Sequence, residues 1–159
     1  MAVSRAEIQA GISLQQTLDQ ARAAFAFQRM KEVRDKGGPE LRKGYRSHVE
    51  KLPAMIQTNG LGQTLAFLYS KGTEDARFVP DKKAEARLYQ HLREWLCQEE
   101  WPIGPYSEPV EGEDSDEELK LLCRLTHCDS QVYRRATVEA LALVSWLKRF
   151  AGGMLEKGE

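Results

Sequence analysis

The chain has 159 residues, 42% of them hydrophobic, which is enough for one modest core, so we expect a single all-helical domain over residues 1–159. Three cysteines are too few for a disulfide framework, and no apolar run approaches the ~18 residues of a membrane helix. The composition therefore argues against a disulfide-stabilised secreted protein and against membrane association, and it favours a cytoplasmic location.

Charge is distributed unevenly, although 23 basic and 24 acidic residues nearly cancel. Residues 105–119 hold seven acids and no Lys or Arg, so the other 144 residues carry 23 basic against 17 acidic groups. We interpret the chain as a positively charged body with one acidic loop over 101–118, which we expect to be solvated and peripheral.

The residue types favour helices over strands, because 18 Leu and 16 Ala stand against only 8 Val and 4 Ile. The positions of the six prolines fit helix starts and loops. The sequence therefore predicts an all-α bundle of about six helices with short turns.

The first helix is predicted over 14–36, followed by a break at Gly37-Gly38 and a second helix over 39–52. The predicted inner positions of the first helix are Leu14, Leu18, Ala21 and Phe25, with Phe27, Met30 and Val33 beside them. Pro53 is predicted to begin a third, short helix that ends at Asn59-Gly60.

The second half of the chain gives further boundary signals. A helix follows from Leu61 to Gly72, and Asp81 is predicted to cap the next helix, over 82–99. Ser115 and Glu118 have the spacing of a capping box. Asp129 or Ser130 is predicted to cap the last helix, which Gly152-Gly153 is predicted to end.

The best candidate for a metal site is Cys123 with His127 and Cys128, since positions four apart share one side of a helix. A second close pair of ligands is missing, and the nearest others, His91 and Cys97, lie on another predicted helix. We therefore expect free thiols, no metal and no cofactor.

The sequence gives only weak signals for nucleophilic catalysis and for nucleotide binding. None of the three histidines belongs to a recognisable nucleophile signature. Gly60 and Gly62 lack both a preceding strand and the longer glycine fingerprint, so a close-packed helix break explains them better than a phosphate loop does. We expect no enzyme activity.

Basic residues give the strongest functional signal. Residues 29–51 hold eight basic groups against four acids, and the last helix carries four more basic groups. Such surfaces bind phosphates without reading sequence, but they are also common as solvated faces with ion pairs such as Arg135–Glu139. The candidate RNA-binding residues are Arg42, Lys43, Arg46, Lys51, Arg134, Arg135, Lys148 and Arg149.

Two segments are distinctive beyond their composition. Residues 45–68, with the core Leu-Pro-x-x-Ile-x-x-Asn-Gly-Leu-Gly-Gln at 52–63, and residues 139–151 resemble the small helical subunit of the type III-B CRISPR (Cmr) effector complex. Residues 26–33 are similar to the N-terminal helix of that family. The acidic loop lies outside the resemblance.

The resemblance implies a non-catalytic subunit in antiviral defence. Its partners would be the backbone and large subunits, further copies of itself stacked as a filament, and the CRISPR RNA with its target RNA. It places Arg46, Lys51, Lys148 and Arg149 inside matched segments, while Arg42 and Lys43 lie just outside. The alternatives are a helical adaptor that touches no RNA and, third, a metal-dependent enzyme.

Overall fold

The structure is a computed structural model that describes residues 14–98 and 109–158. These residues form six α-helices, one short 3₁₀ helix and one two-stranded hairpin, so the prediction of an all-α fold is confirmed. In chain order the elements are α1 (Leu14–Lys36), α2 (Pro39–Asn59), α3 (Leu61–Lys71), β1 (Thr73–Glu74), β2 (Arg77–Phe78), α4 (Ala84–Leu96), the 3₁₀ helix (Glu117–Leu119), α5 (Lys120–His127) and α6 (Ser130–Met154).

Helix α6 lies between α1 and α2. Arg22 of α1 contacts Glu139 of α6, and Phe27, further along α1, contacts Phe150, further along α6, so these two helices run parallel, with the long Trp146 side chain reaching back to Asp19. The start of α2 lies beside the end of α6, because Arg46 donates to the Leu155 carbonyl (2.9 Å), so α2 is antiparallel to α6. Helix α4 packs against α2 and α3 on the other side of a shared apolar core.

Helix α2 continues through Pro53, so the predicted helix start at that residue is wrong. Proline lacks the N–H that would bond the carbonyl of Val49, and this costs the helix one hydrogen bond. Val49, Leu52 and Ile56 are nonetheless all buried on one face, and continuous burial of that face outweighs the missing bond.

Helix α6 ends later than predicted. The helix passes through Gly152 and Gly153 to Met154, so the predicted stop is wrong. Both glycines are exposed, whereas Ala151 and Leu155 are buried. The burial of those two side chains holds the last turn in place despite the low helix propensity of glycine.

The structure contains some of the predicted helix caps and lacks others. The Asp129 carboxylate accepts from the Val132 N–H (2.9 Å), as predicted for the start of α6. Asp81 does not cap α4, which begins at Ala84; it pairs instead with Arg87 (2.7 Å). The predicted Ser115 cap is also wrong.

The cap of the 3₁₀ helix is Asp116, one residue beyond Ser115, and its side chain accepts from the Glu118 N–H (3.0 Å).

A hairpin between α3 and α4 was not predicted. Its two-residue turn, Asp75-Ala76, has positive φ at both positions and lacks the glycine that usually marks such turns.

The acidic loop differs from the expectation of a solvated segment. Residues 101–108 lie outside the described residues. In the remainder, Glu113 pairs with Arg124 (3.0 Å) and Glu118 with Arg93 (2.9 Å). These contacts fasten the segment to α5 and α4, so for Glu113 and Glu118 the solvated interpretation is wrong.

Candidate nucleic-acid interface

One face of α6 is basic and open to solvent. The inner face of this helix is buried through Ala136, Ala140, Leu143 and Leu147. The opposite face exposes a pair of cations near each end, which we call the α6 track: Arg134, Arg135, Lys148 and Arg149. Fourteen residues separate the two pairs, which is close to four whole turns and about 21 Å. The pairs therefore lie on the same side of the helix.

The cations of the α6 track have no ion-pair partner among the described residues. The Arg135–Glu139 pair that a solvated face would allow does not form, because the Glu139 carboxylate points inward and only 2% of that residue is exposed. Glu139 accepts from Arg22 (2.6 and 2.9 Å) and from the Trp95 indole (2.9 Å). The charge of Arg135 is thus available to a ligand.

Two shallow grooves lie along the α6 track. One, of about 500 Å³, is lined by Arg134, Arg135 and the exposed Val138 together with Leu18 of α1. The other, of about 580 Å³, contains Lys148 and Arg149 and is bordered by Glu50 of α2. Guanidinium and ammonium groups spaced along an open groove suit the phosphates of an extended backbone.

The predicted RNA-binding residues on α2 fall into two groups. Arg42 bonds Glu156 and the Gly37 carbonyl, and Arg46 bonds Glu50 (3.2 Å) and the Leu155 carbonyl. These two guanidinium groups hold the segment after α6 against α2.

The other two α2 cations behave differently. Lys43 and Lys51 are exposed and make no ion pair within the described part of the chain. The structure therefore gathers four of the eight candidates on α6, leaves two free on α2, and gives Arg42 and Arg46 partners within the protein. Helix periodicity places the α6 residues together, but it does not reveal contacts to a segment more than 100 positions away.

An aromatic group beside the α6 track was missed from the sequence. Phe27, predicted to face inward, is 47% exposed, so that prediction is wrong. Its ring meets Phe150 edge-on (centroids 5.6 Å apart), and Phe150 stacks on Trp146 (5.8 Å). We call these three residues the aromatic shelf. The only sequence signal is the spacing of Trp146 and Phe150, which are four positions apart.

The candidate ligand residues do not converge. No group of three His, Cys, Asp or Glu side chains within the described ranges is close enough to hold a metal ion. His127 Nδ1 contacts the Cys123 carbonyl oxygen (2.8 Å), and His91 Nδ1 is hydrogen-bonded to the Tyr45 hydroxyl (2.8 Å) in the core. Burial lowers the pKa of His91 well below its usual range, so this imidazole is neutral.

The glycine pair at the start of α3 is a packing contact. Gly60 has φ 87°, and the Gly62 N–H donates to the Tyr133 hydroxyl of α6 (2.8 Å). A Cβ added at Gly62 would lie 3.3 Å from that oxygen. The Gly62 N–H, which a phosphate loop would donate to its ligand, thus already donates to the Tyr133 hydroxyl.

The fold and its surface define a small helical protein with a cationic face on the longest of its described helices. None of its described helices is long and apolar enough to cross a membrane. Its sequence matches the profile of the family described as CRISPR-associated protein (Cas_Cmr5) over residues 18–154. The chain belongs to this family, which confirms the resemblance to the small subunit of the type III-B Cmr complex.

A relative from Thermus thermophilus, named CRISPR system Cmr subunit Cmr5, is 29% identical over 133 residues. The match covers 84% of this chain and 94% of the relative. The two proteins therefore correspond over nearly the whole length of the relative.

Proposed function

We propose that this chain is a non-catalytic small subunit of a type III-B CRISPR (Cmr) ribonucleoprotein complex and that the α6 track holds the backbone of bound RNA. Family membership supports a role in such a complex. Its partners would be the backbone and large subunits, further copies of this chain, and the CRISPR RNA with its target RNA, in the cytoplasm.

The observation that carries the RNA-binding part is the unpaired charge of the α6 track. Four cations over about 21 Å, with no carboxylate partner within residues 17–98 and 109–158, form a strip that attracts phosphates. Phosphate contacts position an RNA without reading its sequence, and in guide-directed complexes base pairing supplies that reading.

The second candidate is a helical adaptor that makes no RNA contact. The observation that favours it is Phe67 on α3, which is 38% exposed and borders a groove formed with Met55, Asn59 and Gln63. An exposed aromatic ring beside a groove suits a protein partner. The two functions differ in whether neutralising the α6 track weakens RNA binding.

The test compares two charge-matched quadruple variants of the full chain. In one, Arg134, Arg135, Lys148 and Arg149 are changed to Gln; in the control, the exposed Lys36, Lys71, Arg77 and Lys82 are changed to Gln. Each is measured for affinity to a single-stranded RNA over a range of salt concentrations, and for incorporation into the Cmr complex.

We expect the α6 variant to bind RNA more weakly, and the log–log salt slope to fall by about 0.7 for each phosphate that the protein no longer neutralises. The control should retain the wild-type slope, and both variants should enter the complex. Equal affinity and slope in the two variants would contradict the RNA-binding role of α6 and favour the adaptor.

A further inference from the structure

The aromatic shelf adjoins the α6 track on the surface of the protein. Arg149, a member of the track, directly precedes Phe150 and is three positions from Trp146, so cation and rings share neighbouring positions on α6. On the α1 side, Phe27 is followed four positions later by the exposed Lys31. Positive charge therefore flanks the shelf on both helices.

The shelf is held in a fixed arrangement. The Trp146 indole N–H donates to Asp19 Oδ1 (3.0 Å), and the same carboxylate oxygen lies 3.4 Å from Arg22 Nη1. The Arg22 guanidinium, which also pairs with Glu139, thus helps to hold the Asp19 carboxylate in place. Phe150 is packed between Trp146 and Phe27, so the outer ring, Phe27, rests on a supported surface.

Packing against the core does not account for the position of Phe27. The neighbouring buried positions of α1 are Ala26, Met30 and Val33, each at most 2% exposed, whereas nearly half of Phe27 is in water. An aromatic face left open next to unpaired cations is the combination that binds single-stranded nucleic acid, because any base can stack on the ring while its phosphate meets the cation.

We propose that the aromatic shelf stacks an unpaired base of an RNA strand whose phosphates follow the α6 track. This inference rests on the proposed RNA-binding role and refines its ligand to an RNA segment that carries an unpaired base. A base within a duplex has both faces covered by its neighbours and offers none to Phe27. Charge complementarity favours RNA over an apolar protein segment as the occupant, since Arg149 and Lys31 flank the rings.

The test uses the full chain with two probes of equal length and charge. One is an oligo(A) RNA of about twelve nucleotides, within the usual site size of single-strand binders. The other is the corresponding abasic ribose-phosphate strand. The variants are Phe27→Leu, which removes the ring and stays apolar, and Phe27→Tyr, which keeps a ring. Phe67→Leu is the matched control, because it removes an exposed ring on α3.

We expect the wild-type protein to prefer oligo(A) over the abasic strand, and Phe27→Leu to weaken oligo(A) binding by about fivefold or more. Abasic-strand binding and the salt slope should stay unchanged, and Phe27→Tyr and Phe67→Leu should behave as wild type. Circular dichroism checks that all variants remain helical.

Two contrary outcomes are distinguishable. Equal wild-type affinity for the two probes, or Phe27→Leu affecting only incorporation into the complex, would overturn base stacking and leave the α6 track as proposed. If neither probe binds, or if neutralising the α6 track also has no effect on binding, then the proposed RNA-binding role fails together with this inference.

Discussion

Arg22 of α1 and Glu139 of α6, 117 positions apart in the chain, form a two-point ion pair with N–O distances of 2.6 and 2.9 Å. Both side chains are nearly excluded from water, with 8% and 3% of their surface exposed. Trp95 of α4 donates to the same carboxylate, so Glu139 joins three helices at one point. A carboxylate in this position is a structural group and is removed from the exposed basic face of α6.

Loss of Glu139 should therefore destabilise the protein severely. Glu139→Ala leaves the buried Arg22 without its main counter-charge and should cost about 3–5 kcal/mol of unfolding free energy. Replacing both residues, as Arg22→Met with Glu139→Leu, should recover most of that loss, apart from the hydrogen bond of Trp95. Urea denaturation measures both, with the exposed Glu74→Ala as control. A single variant as stable as the control would contradict this role.

Stability should also depend on pH through His91. Burial, with Arg29 and Arg87 adding to it, lowers the pKa of His91 well below 6.5. The unfolded chain then binds a proton near pH 6.5 that the folded chain does not, so stability is lost as pH falls below that value. The loss approaches about 1.4 kcal/mol per pH unit.

The measurement is urea denaturation of wild type and His91→Leu between about pH 8 and about pH 5.5, a range that spans the usual His pKa. His91→Leu should be less stable overall, because the Tyr45 hydroxyl loses its partner, but its stability should vary less with pH. His127→Gln, at an exposed position, should keep the wild-type profile. Identical pH profiles for wild type and His91→Leu would refute the assignment.

Gly72 should not tolerate a side chain. A Cβ at this position would lie 2.6 Å from the Cα of Ala86, because the end of α3 packs directly on the backbone of α4. Gly72 has φ −84°, which alanine adopts freely, so the expected effect of Gly72→Ala is purely steric, about 1–3 kcal/mol or more. Gly38→Ala is the matched control, since nothing lies within 4 Å of its Cβ. Similar melting temperatures for both variants would show that α4 shifts without cost.

The acidic segment should contribute to stability through selected residues. Glu113→Gln weakens the pair with Arg124, whose guanidinium holds the pKa of Glu113 below its usual range, and should lower Tm. Glu111→Gln changes the same charge at an exposed residue with no ion pair in the described segment, and should leave Tm unchanged. Thermal unfolding at neutral pH distinguishes the two, and equal Tm values would restore the view of a purely solvated loop.

The sequence predicts the helical class and several boundaries well, because hydrophobic periodicity and caps are local signals. The start of α6 at Asp129 is one such case. The helix boundaries predicted at Pro53 and Gly152 are wrong, because burial of Ile56 and Leu155 overrides the low helix propensity of proline and glycine. That burial depends on partners distant in the chain.

In the candidate interface, too, local signals are predictable from the sequence and contacts between distant segments are not. The cations of α6 share a face by helix periodicity alone, so they could be foreseen together. Neither the inward turn of Glu139 nor the engagement of Arg46 with the Leu155 carbonyl is encoded locally, and both require the packed structure. Charge counting therefore identifies a basic helix, but it does not separate free cations from those with a partner in the fold.

The parallel pairing of α1 with α6 has a consequence for biosynthesis. Residues Leu14–Lys36 leave the ribosome long before Ser130–Met154, which supply the apolar surface that covers them. Closing so large a loop is a slow step in folding, and the apolar side of α1 stays uncovered until it occurs. The buried apolar groups of α1, Met30 and Val33 among them, then need protection from aggregation during synthesis.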